Sequence, residues 1–226
     1  MCGRYSTAKL RIKDLIDAFG IQVYLPYEEH HNTAPTLRVP VIRERYHQRY
    51  LEPLRWGLIP SWAKDKSIGN HMINARMESL AEKPAFKRAY RVQRCIIPAS
   101  GFYEWQKRDT GKQPYYIYRK DKKPLTFAGL WEHWVDKETG EIIESCTIIT
   151  REATTQLQVI HDRMPVILDY ERAKVWLDPS LEDIEDLRAI LEDPRAVLLR
   201  MYPVSDYVNS VKNEGERCIW EVRQEN

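Results

Sequence analysis

The strongest constraint on this chain is a run of β-rich stretches joined by short turns. They fall at 39–46, 95–106, 114–119, 124–131, 142–150, 164–168, 198–204 and 218–223, with turn signals such as Asp109-Thr110-Gly111 and Lys137-Glu138-Thr139-Gly140 between them. Strands that follow one another through short turns pair antiparallel, and helical segments at intervals between them predict an α+β domain. Those helices are expected at 8–19 behind a Thr7 cap and before Gly20, at 77–90 with an interruption at Pro84, at 152–160, and at 180–192. Neither a parallel βαβ series nor a Gly-rich phosphate loop is visible. No repeat, low-complexity tract or linker divides the 226 residues, so a single domain over 1–226 is expected.

Several function classes fall away. No apolar run approaches the roughly 18 residues of a membrane helix, and the first residues lack the hydrophobic core of a signal peptide, so a protein of the cytoplasm is expected. The cysteines Cys2, Cys95, Cys146 and Cys218 are spaced too widely for a C-x-x-C metal site, so free thiols and no metal or other cofactor are expected, with Cys95 and Cys146 buried and inert. Charge is uneven: residues 1–94 hold 17 Lys and Arg against 9 Asp and Glu, whereas residues 95–226 hold 18 against 24. A basic amino-terminal half suits a polyanion, although charge runs are also ordinary solvated surface.

The chain begins Met1-Cys2-Gly3-Arg4. Removal of Met1 would give Cys2 both a free α-amine and a thiol. An α-amine with a pKa of about 7.7–8.0 is partly neutral at physiological pH, unlike a lysine near about 10.4. It can attack an aldehyde to give a Schiff base, and the thiol on the same residue can then close a thiazolidine ring intramolecularly. Taken alone, the tripeptide also fits an incidental early cysteine.

Three further stretches place polar groups among apolar ones. Ile96 to Trp105 sets Glu104 between aromatics in a strand, where desolvation would raise its pKa; a solvent-facing Glu is the plainer alternative. Ile160-His161-Asp162-Arg163-Met164-Pro165 places an imidazole, a carboxylate and a guanidinium where a helix yields to a strand. Ile73-Asn74-Ala75-Arg76 adds an amide and a guanidinium suited to sugar oxygens and phosphate.

Taken with Asn32-Thr33-Ala34-Pro35, Trp56 to Trp62 and Val208 to Asn213, these motifs resemble the SRAP (SOS response-associated peptidase) family of abasic-site processing proteins over nearly the whole chain. The resemblance implies antiparallel sheets curled into a barrel-like core flanked by short helices, and a monomer whose partner is single-stranded DNA containing abasic sites. It implies a covalent crosslink made by Cys2, with Asn74, Glu104 and His161 at the active site. Arg4, Arg76 and Arg163 would hold phosphate or the opened sugar, and Trp62 would stack on DNA. The pattern departs at Ala63, which stands where family members often carry a second bulky aromatic. Rival readings are an amino-terminal-nucleophile hydrolase, which lacks the expected Asn-Gly pair here, a cysteine peptidase using Cys2, Glu104 and His161, and a non-covalent single-strand-binding module.

Overall fold

The computed structural model describes residues 2–109, 111–193 and 197–222. In chain order the elements are β1 (Tyr5–Ser6), α1 (Ile12–Phe19), β2 (Val23–Tyr24), β3 (Arg38–Arg45), β4 (Gln48–Trp56), β5 (Asn74–Arg76), α2 (Lys87–Val92), β6 (Arg94–Ala99), β7 (Gly101–Arg108), β8 (Gly111–Arg119), β9 (Leu125–Val135), β10 (Ile142–Glu152), α3 (Thr155–Gln158), β11 (Arg163–Pro165), α4 (Tyr170–Leu177), α5 (Ile184–Glu192) and β12 (Leu199–Pro203).

Five strands close a ring. β4, β3, β6, β9 and β10 pair in that order antiparallel, and a short parallel contact, Ser145 with Arg55 and Cys146 with Trp56, joins β10 back to β4. The expected barrel-like α+β core is therefore present, although its closing seam is parallel. Alternate residues of these strands fill the barrel: Val39 and Val41, Leu54 and Trp56, Cys95 and Ile97, Cys146 and Ile148. The intervening residues Ile42, Leu51, Ile96, Leu130 and Ile149 face outward and pack against Leu15, Tyr90, Trp176 and Leu187 of the helices. A second sheet, in the order β1–β7–β8–β12, contributes Tyr5, Phe102 and Ile117 to the barrel's apolar cluster.

Helix starts differ from the sequence expectation for local reasons. Thr7 does not cap α1; its hydroxyl accepts the His30 N–H at 3.0 Å, and the helix starts only at Ile12 before ending in the left-handed Gly20. The stretch 77–90 resolves into a 3-10 turn at Met77–Ser79 and the later α2, with Pro84 between. The amino-terminal part of 152–160 belongs to β10. In 180–192 the cap is Asp183, which accepts the Glu185 and Asp186 N–H groups.

The strands differ as well. The single strand expected over 95–106 breaks at Ser100, whose N–H and hydroxyl hold Ser6, so that its halves serve different sheets. Residues 218–223 form a 3-10 turn at Glu216–Ile219 and one bridge from Glu221 to Val204, with 223 outside the described residues. Five elements lie outside the predicted stretches: the short strands β1, β2 and β5, and the longer β4 and α4. β4 contains Pro53, which lies opposite Pro40, and α4 is capped by Asp169. All four cysteines are free and buried. Among the described residues, no helix is long and apolar enough to cross a membrane.

Candidate active site

The end of β10 gathers motifs that lie far apart in sequence. It runs between β5 and β11, so Ile148 faces Asn74, Thr150 faces both Arg76 and Pro165, and Glu152 faces Arg163. Two polar motifs separated by more than eighty residues thereby share one edge of the barrel.

Cys2 reaches the same place by a different route. β1 pairs with β7 through Tyr5 with Phe102, and the Tyr103 N–H donates to the Arg4 carbonyl at 3.0 Å, carrying the ladder toward the amino terminus. The Cys2 side chain is fully buried in the barrel cluster, and its carbonyl accepts a hydrogen bond from Asn74 Nδ2 at 2.9 Å. Burial, and then the nearby charge of Glu104, push its thiol well above the usual range, so the sulfur is held as a neutral thiol. Asn74 Oδ1 is buried and has no hydrogen-bond partner among the described residues. A buried amide oxygen without a donor is costly, and it marks a position where a ligand hydroxyl or N–H would be welcome.

Glu104 is two residues beyond Phe102 on β7 and shares its face. It is 4% exposed, and burial raises its carboxyl to about 7, with the charge of Asp162 adding to the rise. The Gln106 side chain, further along β7, donates to the Val159 carbonyl at 2.8 Å and ties this strand to the turn carrying His161. His161 Nδ1 accepts the Arg163 N–H at 3.0 Å, which places the proton of the neutral ring on Nε2. Burial lowers the pKa of this ring; the carboxylate of Asp162, 2.7 Å from Nδ1, opposes that shift.

The arginines differ in their engagement. Arg163 donates two bonds to Glu78, at 2.8 and 3.0 Å, and one to the Thr150 carbonyl at 2.7 Å; the guanidinium in turn holds the Glu78 carboxyl below its ordinary range. Arg4 turns toward the carboxyl-terminal segment, donating to Asn32 Oδ1 at 2.8 Å and the Val208 carbonyl at 2.9 Å. Arg76 is exposed. Trp62 is 58% exposed and borders a cleft of about 410 Å³ that Asn74, His71 and Lys83 also line. Ala63 beside it is buried, and its carbonyl accepts the indole N–H of the buried Trp134 at 2.8 Å.

Cys2, Asn74, Glu104, His161 and Arg163 thus lie around one end of the barrel, Trp62 meets them through the Asn74 cleft, and Arg4 serves the carboxyl-terminal segment. Sequence reasoning missed Glu78 and Trp134. Glu78 stands two residues beyond Arg76, and only its carboxylate hinted at a partner for a nearby cation.

Comparison with known proteins places this geometry. Residues 1–211 match the model described as SOS response associated peptidase (SRAP). The abasic site processing protein YoqW of Bacillus subtilis is 44% identical over 223 residues, covering 97% of this chain and 99% of its own length. The abasic site processing protein YedK of Escherichia coli is 34% identical, covering 97% of this chain and 99% of its own. A crystal structure of a protein from Bacteroides thetaiotaomicron superposes with a TM-score of 0.86 at 28% identity, covering 98% of this chain and all of that one.

Proposed function

From a chain that belongs to the SOS response associated peptidase family, we propose a protein that processes abasic sites in single-stranded DNA by linking itself to them through Cys2 once Met1 is removed. The observation that carries this reading is the bond from Asn74 to the Cys2 carbonyl, beside a buried Glu104 that titrates near neutrality. An amino terminus fixed at its own carbonyl has its amine directed rather than free to sweep, which is the condition for a near-attack geometry.

The chemistry follows from the groups present. An abasic deoxyribose rests mainly as a closed hemiacetal, so the ring oxygen must gain a proton as the C1′ hydroxyl loses one. In its imidazolium form, which the Asp162 carboxylate 2.7 Å from Nδ1 favours, His161 gives its Nε2 proton to the ring oxygen and takes up the proton that the C1′ hydroxyl loses. Glu104, with its carboxyl near 7, takes a proton from the Cys2 amine, which then attacks C1′ to give a carbinolamine. Glu104 returns a proton to the departing hydroxyl, water leaves and an imine forms. The thiol sulfur adds to the imine carbon and its proton passes to the nitrogen, closing the thiazolidine. The whole sequence releases one water and needs no oxidant or metal.

Because burial keeps the thiol neutral, the amine acts first and the sulfur second. The imine also permits β-elimination, so weak strand-cleaving lyase activity competes until the ring closes. Removal of Met1 by the chain itself accounts for the peptidase in the family's description. Arg76 and Arg163 hold the flanking phosphates, and Trp62 stacks on a base.

The test is incubation of the processed protein with a single-stranded oligonucleotide bearing one abasic site, followed by a denaturing gel. A heat-stable shifted band with the unaltered protein and none with Cys2→Ser is expected. A heat-stable band with Cys2→Ser would remove the thiazolidine from the mechanism.

A further inference from the structure

A cleft of about 800 Å³ opens on the β1–β7–β8–β12 sheet, on the face away from Cys2. On β8, Ile117 packs in the barrel cluster with Cys2 and Phe102, so Tyr116 and Tyr118 on either side of it point the opposite way. Tyr202 stands directly across from Tyr116 on β12. The rings form a compact set: Tyr116 and Tyr118 lie 6.0 Å apart with planes 17° from parallel, and Tyr202 is 5.8 Å from each. The Tyr202 hydroxyl donates to the Ile219 carbonyl at 2.9 Å and fastens the turn that presents Trp220, which is 61% exposed.

The polar boundary of this cleft is equally specific. His31 lines it, and its Nε2 is buried without a hydrogen-bond partner among the described residues. Lys122 stands at the rim on a turn running from Lys120 to Lys123, whose single acid, Asp121, is already paired with Arg119 at 2.8 Å. That turn is locally basic within a carboxyl-terminal half that is acidic overall. Glu221 also lines the cleft, and Lys9 there is paired with Glu216, so Lys122 is the cation of the lining that carries the charge. Stacked rings with an exposed indole, a base-edge partner in His31 and Lys122 on a lysine-bearing turn together match a single-strand platform, in which bases stack on rings and cations follow the backbone.

We propose that this cleft is a second single-strand site, which takes one or two unstacked bases on Tyr118 and Trp220 while the 120–123 turn holds the adjoining phosphates. It rests on the reading of DNA as the partner, and it adds to that reading a tether remote from Cys2. A strand held at two places dissociates more slowly than one held at either, so the protein favours long single strands over short ones.

The test uses fluorescently labelled oligothymidylate of about 20 nucleotides with no abasic site, followed by anisotropy. Trp220→Ala and Lys122→Glu both alter exposed side chains, so the fold is preserved. Trp220→Ala is expected to weaken binding by about 5- to 150-fold, the value of one stacked base. Lys122→Glu is expected to weaken it in a manner that fades at high salt. Crosslinking to an abasic tetranucleotide, which engages only the Cys2 side, is expected to keep its unaltered rate in both variants. Unchanged oligothymidylate affinity in both variants would overturn the second site. Failure of the unaltered protein to crosslink the tetranucleotide would strike the Cys2 chemistry and leave the anisotropy result standing.

Discussion

Asn74 holds Cys2: its Nδ2 donates to the Cys2 carbonyl at 2.9 Å across seventy-two residues of sequence, while its Oδ1 is buried with no partner among the described residues. The first atom fixes the nucleophile's residue and the second is available to the sugar. Asn74→Ala is expected to slow crosslinking at least tenfold while costing about 1 kcal/mol of stability, the ordinary value of one neutral hydrogen bond. Single-turnover gels and urea denaturation check the two numbers separately. A rate loss no larger than the stability loss would reduce Asn74 to a structural residue.

Glu104 links activity to stability through pH. Burial raises its carboxyl from 4.5 to about 7, so the folded protein retains a proton that the unfolded chain releases. The stability attached to that proton is complete below pH 4.5 and declines as pH rises to about 7, where the loss levels off. Glu104→Gln, a neutral mimic, removes this decline. At pH 8 the variant is expected to be more stable than the unaltered protein by about 3 kcal/mol at most, and to crosslink more slowly. Urea unfolding at acid and alkaline pH measures the first effect, and parallel pH profiles of stability for the two proteins would refute it.

Glu78 occupies Arg163 with two hydrogen bonds. A phosphate must displace it to gain that guanidinium. Glu78→Gln is therefore expected to tighten non-covalent binding of single strands about two- to fivefold at low salt, and to steepen the salt dependence by up to about 0.7 in the log–log slope. Weaker binding would show that Glu78 orients Arg163 rather than competing for it.

Much of this was legible in the sequence, for identifiable reasons. The apolar run of Val39, Val41 and Ile42 announced a strand because both of its faces are buried, and Glu104 stood out as a carboxylate in a similar run. The parallel seam between β4 and β10 left no local mark, because it depends on two residues of each strand meeting in space. Pro53 disguised β4. Arg4 read as a phosphate ligand from its motif, and only the fold sets it against Asn32 and Val208. The missing aromatic at Ala63 was visible, whereas the indole of Trp134 beneath it, from a strand seventy-one residues later, was not.

Trp62 is exposed enough that its loss should leave stability within about 0.5 kcal/mol. Trp62→Ala is nevertheless expected to weaken single-strand binding by about 1–3 kcal/mol, one base stack. Thermal melting and anisotropy separate the two effects. An unchanged affinity would mean that the indole does not meet a base, and that Ala63 marks a protein which has dispensed with stacking at this loop.

The central claim is a covalent bond between the processed Cys2 and the abasic carbon, and the intact mass of the purified adduct tests it most directly. The account predicts the mass of the chain without Met1 plus that of the abasic oligonucleotide, less one water. Peptide mapping should confine the modification to Cys2. An adduct that retains Met1, or one mapped to a lysine, would contradict the account.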